Sequence, residues 1–261
     1  MESKQSINDF VIKFANVNGT GSASANGMFA KAIFRMGIPV SPRNIFPSNI
    51  QGLPTWYEVR VSRDGYLGRR GGIDMMVSVN PQSFAKDVSE LDPGGYMLYD
   101  STKPLDLRHV RRDIRYLGIP LTEMCLREYS DARQRQLFKN VIYVGALSAL
   151  LNIDFAILKD LVSEQFKGKE KLITPNIHAL EMGHQYASTH FECPLGIHLK
   201  VGEQTPKHIQ EFDQILMDGN TAAALGAVYA GATVAARCPL TPCASVVGAV
   251  GPCGGGRRPV P

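Results

Sequence analysis

The segment from Phe10 to Gly37, FVIKFANVNGTGSASANGMFAKAIFRMG, constrains the fold of this chain more than any other stretch. It begins with a short apolar run that is typical of a buried strand, and it continues through the glycine-rich sequence Asn18 to Ser22. Apolar residues then recur every three or four positions from Ala23 to Met36, which is the spacing of one helix face. The segment therefore predicts a strand, a tight glycine turn and a helix that Ser22 or Ser24 caps.

The glycine turn offers a site for an anionic ligand. Glycines let the backbone turn sharply and let a ligand approach closely. The start of the following helix carries free N–H groups and a partial positive charge, which suit a phosphate or a carboxylate. The candidate cofactor-binding residues are therefore Gly19, Thr20, Gly21, Ser22 and Asn26.

The turn departs from the dinucleotide-binding fingerprint G-x-G-x-x-G. Gly19 and Gly21 fit its first half, but Ser24 stands where the third glycine belongs. About twenty positions on, where an acidic residue would hold the ribose of NAD, the chain reads Ile38 to Ser41. The pattern therefore disfavours an NAD site. Two alternatives remain, a purely structural strand-to-helix turn and a site for another anion.

Composition narrows the class of protein. The 261 residues are 44% hydrophobic and 20% charged, which suits a soluble core in one large domain or one and a half ordinary ones. The net charge of +4 lies on dispersed basic residues and gives no argument for nucleic acid. No apolar run is long enough to cross a membrane, and the start, MESKQSINDF, lacks an apolar signal core. We therefore expect a cytoplasmic protein, with its five irregularly spaced cysteines as free thiols.

Strand and helix patterns alternate along the chain, which predicts a three-layer α/β domain over roughly 10–187. The stretch from Trp56 to Val61 alternates as a strand does, and the turn from Arg63 to Tyr66 is predicted to complete a hairpin toward Leu67. Further strands are predicted from Ile73 to Val79, Tyr96 to Tyr99 and Ile114 to Pro120, and helices from Asn80 to Leu91, Asp131 to Leu151, Asp154 to Phe166 and Glu170 to Tyr186.

Polar residues follow two predicted strands at their carboxyl ends, where ligands bind in open α/β sheets. Asp100, Ser101 and Thr102 follow one strand, and Thr122 and Glu123 follow the next. These side chains are candidates for ligand binding. The alternative is that they only cap a helix or form a turn.

Cysteine and histidine residues provide two further candidates. Cys125, just past a strand, is either a reactive thiol or a buried, inert cysteine. His190, Cys193 and His198 follow the spacing of zinc ligands only loosely, because a structural zinc site needs four ligands at tight spacing. The alternative is a loop with scattered histidines, and we expect no metal site here.

The last part of the chain begins a second unit and then loses its periodicity. The stretch from Asp218 to Asn220 leads into a predicted helix from Thr221 to Ala230, which Gly231 ends, and a strand is predicted from Ala232 to Ala236. The closing sequence, GAVGPCGGGRRPVP, cannot build a core. A second α/β domain is therefore expected to stop after its first β-α-β step.

Several separated segments resemble the gamma-type domain of 2-oxoacid:ferredoxin oxidoreductases. They are NGTGSASANGMFAKAIFRMGIPVSPRNIFPSNIQGLPTWYEVRVS, RRGGIDMMVSVNP, GGYMLYDST, RQRQLFKNVIYVGALSALL and QFKGKEKLI. They look most like the fused alpha subunit of the two-subunit 2-oxoglutarate enzymes, in which the gamma domain comes first. DGNTAAALGAVYAGATVAARCPLTPCAS resembles the start of that subunit's thiamine-type pyrimidine-binding domain.

The resemblance implies an α/β fold class, with a Rossmann-like gamma domain at 10–187 and an incomplete pyrimidine-binding domain at 212–248. Residues 1–9 would be an N-terminal tail and 188–211 a linker. Residues 249–261 would be an irregular tail that looks like translation in a wrong frame or a gene fragment.

The resemblance also implies an activity and its cofactors. The family oxidatively decarboxylates a 2-oxoacid, here 2-oxoglutarate, with coenzyme A to an acyl-CoA and CO₂, and it passes the electrons to ferredoxin. Thiamine diphosphate and Mg²⁺ lie between the alpha subunit and a separate beta subunit, which also carries the [4Fe–4S] cluster. This chain alone would not hold those groups. The gamma domain is associated with the coenzyme A side of the site.

One loop departs from the family pattern, which reads roughly Y-P-I-T-P-S-T-S. Thr241 matches the threonine that lies near the substrate carboxylate in the family, but Cys238, Cys243 and Ala244 replace aromatic and hydroxyl residues. The region that carries the thiamine-activating glutamate is also expected to be absent. The alternative function is therefore a non-catalytic module that binds coenzyme A or docks on partner subunits and is inactive alone.

Overall fold

The computed structural model describes residues 5–45, 52–202, 214–236 and 246–250. The chain divides into two compact units, Met1–Phe212 and Asp213–Pro261. The assignment of 10–187 and 212–248 to two family domains stays a prediction. The site residue predicted at Thr241 lies outside the described residues.

A six-stranded sheet forms the centre of the first unit. Its strands are β2 (Phe10–Val17), β3 (Val40–Ile45), β4 (Pro54–Val61), β5 (Met75–Ser78), β6 (Tyr96–Asp100) and β7 (Arg115–Ile119). A separate two-stranded sheet contains β1 (Ser6–Ile7) and β8 (Ile197–His198). The six-stranded sheet has the order β3-β4-β2-β5-β6-β7. Strands β2, β5, β6 and β7 are parallel, and β4 runs antiparallel between β3 and β2.

Helices accompany these strands, and residues 246–250 of the second unit are also helical. The longer helices are α1 (Ser22–Arg35), α2 (Phe84–Glu90), α3 (Leu121–Glu128), α4 (Ala132–Leu150), α5 (Phe155–Gln165), α6 (Ile173–His190) and, in the second unit, α7 (Gly219–Tyr229). Asp131, Asp154 and Asp218 cap α4, α5 and α7, each accepting a hydrogen bond from a first-turn N–H. A short carboxylate in this position satisfies an N–H that has no partner within the helix.

The two faces of the sheet carry two separate cores. Alternation along β2 points Phe10, Ile12 and Phe14 toward α1 and α3–α6, where they join the larger core. On the other face, Met76 and Met97 pack with α2 in a smaller core. Helices therefore cover both faces, and the predicted three-layer α/β class is confirmed for the first unit.

The predicted hairpin beyond Val61 is wrong. Residues 62–74 form turns and irregular segments with no strand that returns along β4. Strand β4 instead pairs on both sides, with β2 and with β3. The physical reason is that both faces of β4 are buried, and a central strand needs partners at both of its edges.

Three other local predictions also need correction. The expected tail and linker each supply a strand, because Ser6–Ile7 of β1 pairs in parallel with Ile197–His198 of β8. In the second unit α7 forms as predicted, but residues 232–236 are irregular rather than a strand. Neither Ser22 nor Ser24 caps α1, because Gly21 occupies the cap position and α1 has no side-chain cap bond there.

Candidate functional site

The glycine turn lies at the carboxyl end of β2, a central strand of the sheet. Gly19 and Gly21 have φ angles of 86° and 77°, a left-handed conformation that glycine adopts without a steric penalty. The Thr20 hydroxyl donates to the Val17 carbonyl at 2.8 Å. Asn140 of α4 donates to the Thr20 carbonyl at 2.9 Å. The turn is therefore held from below by its own side chain and from the side by α4.

The start of α1 is open to an anion. Gly21 at the cap position supplies no side chain, and the first turn of α1 contains no acidic residue. Ala23 and Ser24 in that turn are exposed. The partial positive charge of the helix N-terminus is therefore neutralised neither by a cap nor by a nearby carboxylate of the first turn.

A cavity of about 240 Å³ lies beside this helix start. Four of the five predicted site residues line it, namely Gly19, Gly21, Ser22 and Asn26, together with side chains from the ends of β2, β3 and β4. Thr20 is buried beneath the turn and acts through the turn geometry instead. The structure thus brings the predicted residues together at one place.

Neutral polar groups line this cavity or bond to residues that line it. The Tyr143 hydroxyl of α4 donates to Asn26 Oδ1 at 2.7 Å, and burial raises the pKa of Tyr143 far above its ordinary value. Burial also raises the pKa of Tyr57, on the cavity wall, to about 12. Both phenols therefore stay uncharged at neutral pH. Sequence reasoning missed Tyr143 and Asn140, whose only signal was a polar group within the mostly apolar second part of α4.

A second hollow of about 440 Å³ adjoins the cavity at Ala23, which lines both. It runs between α1 and α5 and carries Lys31 on its wall. Arg35 forms an ion pair with Glu164, another wall residue. A ligand anchored at the start of α1 therefore has a groove, lined in part by Lys31, along which to extend.

The polar residues at the ends of β6 and β7 form a separate cluster. Asp100 accepts hydrogen bonds from the hydroxyls of Thr102 and Thr122, and Lys139 of α4 lies 3.3 Å from its Oδ2. Lys139 also donates to the Thr122 hydroxyl at 2.8 Å. These groups satisfy one another, so the cluster ties β6, α3 and α4 together, as the alternative interpretation of these residues expects.

The pKa of Asp100 is lowered in this cluster. Desolvation by burial raises it, but the hydrogen bonds from Thr122 and Thr102 and the charge of Lys139 outweigh that effect. Because its pKa is lowered on folding, ionised Asp100 stabilises the fold at pH values above 3.8, its pKa in the unfolded chain. This contribution is lost as the pH falls through the pKa of the folded state.

We therefore expect the stability deficit of Asp100→Asn relative to the wild type to be constant near neutral pH and to shrink below pH 3.8. Denaturant unfolding of both proteins at a series of pH values measures this deficit. A deficit that grows on acidification would contradict the assignment of an ionised, paired carboxylate.

Residues 11–186 match the pyruvate ferredoxin/flavodoxin oxidoreductase family. The chain belongs to this family. The resemblance seen in the sequence segments is thereby confirmed.

Two oxidoreductase subunits with similar sequences support the same family assignment. The chain is 24% identical over 271 residues to subunit alpha of 2-oxoacid:ferredoxin oxidoreductase 2 from Aeropyrum pernix, covering 90% of this chain and 41% of that one. It is 25% identical over 174 residues to the 2-oxoglutarate synthase subunit KorC of Archaeoglobus fulgidus, covering 66% of this chain and 87% of that one.

Solved family structures show the same fold. A 2-oxoglutarate:ferredoxin oxidoreductase from Magnetococcus marinus, with 2-oxoglutarate, coenzyme A and succinyl-CoA bound, superposes with a TM-score of 0.80 at 25% identity, over 96% of this chain and 43% of that one. The pyruvate oxidoreductase subunit PORC of Thermotoga maritima shares the fold at 20% identity and a TM-score of 0.55, over 68% of this chain and 96% of that one. This chain therefore spans less than half the length of the alpha-type relatives named here.

The candidate cysteine and histidine residues of this family member have structural roles. Cys125 is 1% exposed, and burial raises the pKa of its thiol to about 11, so it is a poor nucleophile at neutral pH. His190 and His198 each donate from Nδ1 to a backbone carbonyl. Among the described residues no three His, Cys, Asp or Glu side chains come together as metal ligands. No described helix is long and apolar enough to cross a membrane.

Proposed function

We propose that this chain acts in the cytoplasm as a subunit of a 2-oxoacid:ferredoxin oxidoreductase that converts 2-oxoglutarate and coenzyme A to succinyl-CoA and CO₂, with ferredoxin as electron acceptor. The observation that carries the proposal is the superposition of 96% of the chain on the Magnetococcus marinus enzyme, which has those ligands bound. The open, positive start of α1 supports it, because coenzyme A carries phosphates that suit such a helix end.

In this proposal each part of the site has a role toward coenzyme A. Gly19 and Gly21 let the ligand approach the backbone, and the N–H groups that begin α1 bind one of its anionic groups. Thr241 binds the carboxylate of the 2-oxoacid. By the family resemblance, thiamine diphosphate, Mg²⁺ and the [4Fe–4S] cluster belong to the complex with a beta subunit.

Placing a carboxylate in the first turn of α1 tests the anion site. Ala23 is exposed and lines the cavity, so Ala23→Glu introduces a negative charge without disturbing the core. The charge is expected to stabilise the free protein by about 0.3–1 kcal/mol through the helix dipole. It is also expected to weaken coenzyme A binding about tenfold, because it occupies the place of the ligand's anion. Titration calorimetry measures the affinity and thermal unfolding the stability.

Ala23→Gln is the matched control, because it has the same size and no charge. It is expected to keep the wild-type affinity for coenzyme A within about threefold, a difference of less than 1 kcal/mol. Saturation of the wild type at about 100 times the dissociation constant should add roughly 2.7 kcal/mol of stability. Equal affinity in the Glu and Gln variants would place the anion elsewhere.

The reaction itself is tested on the complex of the full chain with a coexpressed beta subunit. Ferredoxin reduction is expected only when 2-oxoglutarate and coenzyme A are both present, and to be faster with 2-oxoglutarate than with pyruvate or 2-oxoisovalerate. A complex that prefers pyruvate would overturn the proposed substrate and keep the reaction type.

A second candidate function is the non-catalytic gamma module that binds coenzyme A or docks on partner subunits. It is favoured by the match to KorC and to PORC, which this chain covers over 87% and 96% of their lengths. Such a module would bind coenzyme A in the absence of partner subunits. A complex that contains it would convert the 2-oxoacid only when a further subunit supplies the thiamine-binding domain.

A further inference from the structure

Asn16 is a buried amide at the carboxyl end of β2. The residue is 2% exposed, and it lines the cavity beside the start of α1. Neither its Nδ2 nor its Oδ1 makes a hydrogen bond with the residues that the structure describes. Because an unpaired polar atom in the interior is costly, a buried side chain with both a donor and an acceptor unpaired is rare.

The polar neighbours of Asn16 form hydrogen bonds with groups other than its side chain. The Tyr143 hydroxyl donates to Asn26 at 2.7 Å. Burial raises the pKa of Tyr143, and Asn16 lies close enough to act against that rise. No hydrogen bond of ordinary geometry joins the two side chains. Asn80 donates to the backbone carbonyl of Asn16 rather than to its side chain. The side-chain amide of Asn16 therefore remains available to the cavity.

The chemistry of the cavity selects a neutral group as the partner of Asn16. Besides Asn16, its described wall carries only amide, hydroxyl, indole and phenol groups and backbone, with no charged side chain. A carboxylate would meet the Nδ2 donor but repel Oδ1, and an ammonium would do the reverse. A secondary amide offers one N–H and one C=O, which match both atoms of Asn16.

The size of the cavity indicates that it holds part of a ligand. Its volume of about 240 Å³ is below the roughly 300–1,000 Å³ of pockets that enclose a drug-sized molecule. Trp56 and Tyr57 give it two aromatic walls on which methylene groups can pack. An extended chain that alternates methylenes with amides, and that ends in a phosphate at the start of α1, fits these features together.

We propose that Asn16 pairs with a secondary amide of a ligand whose phosphate is bound at the start of α1. The inference rests on the proposed function, in which the ligand is coenzyme A and the amide belongs to its pantetheine arm. Asn16 is then the residue that distinguishes a pantetheine-bearing phosphate from other anions of the same charge.

Asn16→Leu tests the proposal, with 4′-phosphopantetheine and inorganic phosphate as the two probes in titration calorimetry on the full chain. The wild type is expected to bind 4′-phosphopantetheine at least tenfold more tightly than phosphate. In Asn16→Leu the affinity for 4′-phosphopantetheine should fall about tenfold, one lost amide pairing, while phosphate binding stays within about twofold. Equal losses for the two probes, or no loss for either, would overturn the proposal.

A stability measurement makes the result independent of ligand affinity. Leucine has the same number and branching of side-chain heavy atoms as asparagine and no polar atoms, so it removes the unpaired amide and should raise the Tm of the free protein by about 2–4 °C. Asn80→Leu is the control, because Asn80 is equally buried but hydrogen-bonded, and its Tm should fall. A lowered Tm in Asn16→Leu would show that a water or another partner already satisfies Asn16, and would overturn the proposal.

The two proposals fail in different ways. If 4′-phosphopantetheine binds in an Asn16-dependent manner and coenzyme A does not bind, the proposed function fails and the amide site stands. If coenzyme A binds equally well to wild type and to Asn16→Leu, the amide site fails and the proposed function stands.

Discussion

Replacing Gly145 or Gly183 by alanine is expected to lower the Tm by about 6–12 °C, corresponding to roughly 3 kcal/mol. A Cβ on Gly145 would lie 2.8 Å from Leu180 Cα and closer still to the Leu180 carbonyl oxygen. A Cβ on Gly183 would lie 2.8 Å from Ala146 N and closer still to the Ile142 carbonyl oxygen. Because these obstacles are backbone atoms, α4 and α6 must move apart to make room, and both helices belong to the main core.

Two controls sharpen this prediction, which thermal and denaturant unfolding measure. Gly27→Ala in α1 adds the same methyl group where the nearest heavy atom is 3.9 Å away, so it should stabilise the protein by up to about 1 kcal/mol through helix propensity. The double variant Gly145→Ala with Gly183→Ala should lose less than the sum of the two single losses, because one separation of the helices relieves both clashes. Additive losses would mean that the two glycines do not share an interface.

The second large effect is expected at Asp87, a fully buried carboxyl group on the α2 side of the sheet. It accepts hydrogen bonds from Trp56 Nε1 at 2.8 Å, Ser78 Oγ at 2.9 Å and Ser83 Oγ at 2.8 Å. Asp87→Ala leaves the indole N–H and one hydroxyl without an acceptor and opens a small cavity. We expect a loss of about 3 kcal/mol, or roughly 6–12 °C in Tm.

Asp87 also has the opposite pH dependence to Asp100. Burial raises its pKa more than the hydrogen bonds from Trp56, Ser83 and Ser78 lower it. The stabilising contribution of Asp87 is therefore full below its unfolded pKa of 3.8 and is lost as the pH rises through the folded value. The loss of unfolding free energy in Asp87→Asn, relative to the wild type, should shrink as the pH rises toward neutral. The corresponding loss in Asp100→Asn should shrink as the pH falls. Unfolding of both variants over one pH series checks the two signs together.

Local signals in the sequence predicted much of the first unit correctly. The strand, glycine turn and helix from Phe10 to Gly37 form as expected, and so do the aspartate caps at Asp131 and Asp154. These predictions succeeded because strand alternation, helix periodicity, glycine turns and caps depend on neighbours within a few positions along the chain.

The errors fall where partners are distant in sequence. The expected hairpin after Val61 required β4 to pair with the residues that follow it, but β4 pairs with β2 and with β3, which precede it. The pairing of Ser6–Ile7 with Ile197–His198 joins positions almost two hundred residues apart, and no local pattern carries that information. At α1 the sequence offered two serines as caps, and the backbone turn placed Gly21 at the cap instead.

The sequence by itself determined that this chain forms an α/β domain with a glycine turn between a strand and a helix, because periodicity and turn chemistry are local. Only the tertiary structure decided what surrounds that turn. Asn140 of α4 donates a hydrogen bond to the turn, and the Tyr143 hydroxyl donates to Asn26. The side-chain amide of Asn16 has no hydrogen-bond partner within the part of the chain that the structure describes. The contacts of Asn140 and Tyr143 arise when α4 packs across α1 and the sheet, and long-range packing has no periodicity along the chain from which to read it.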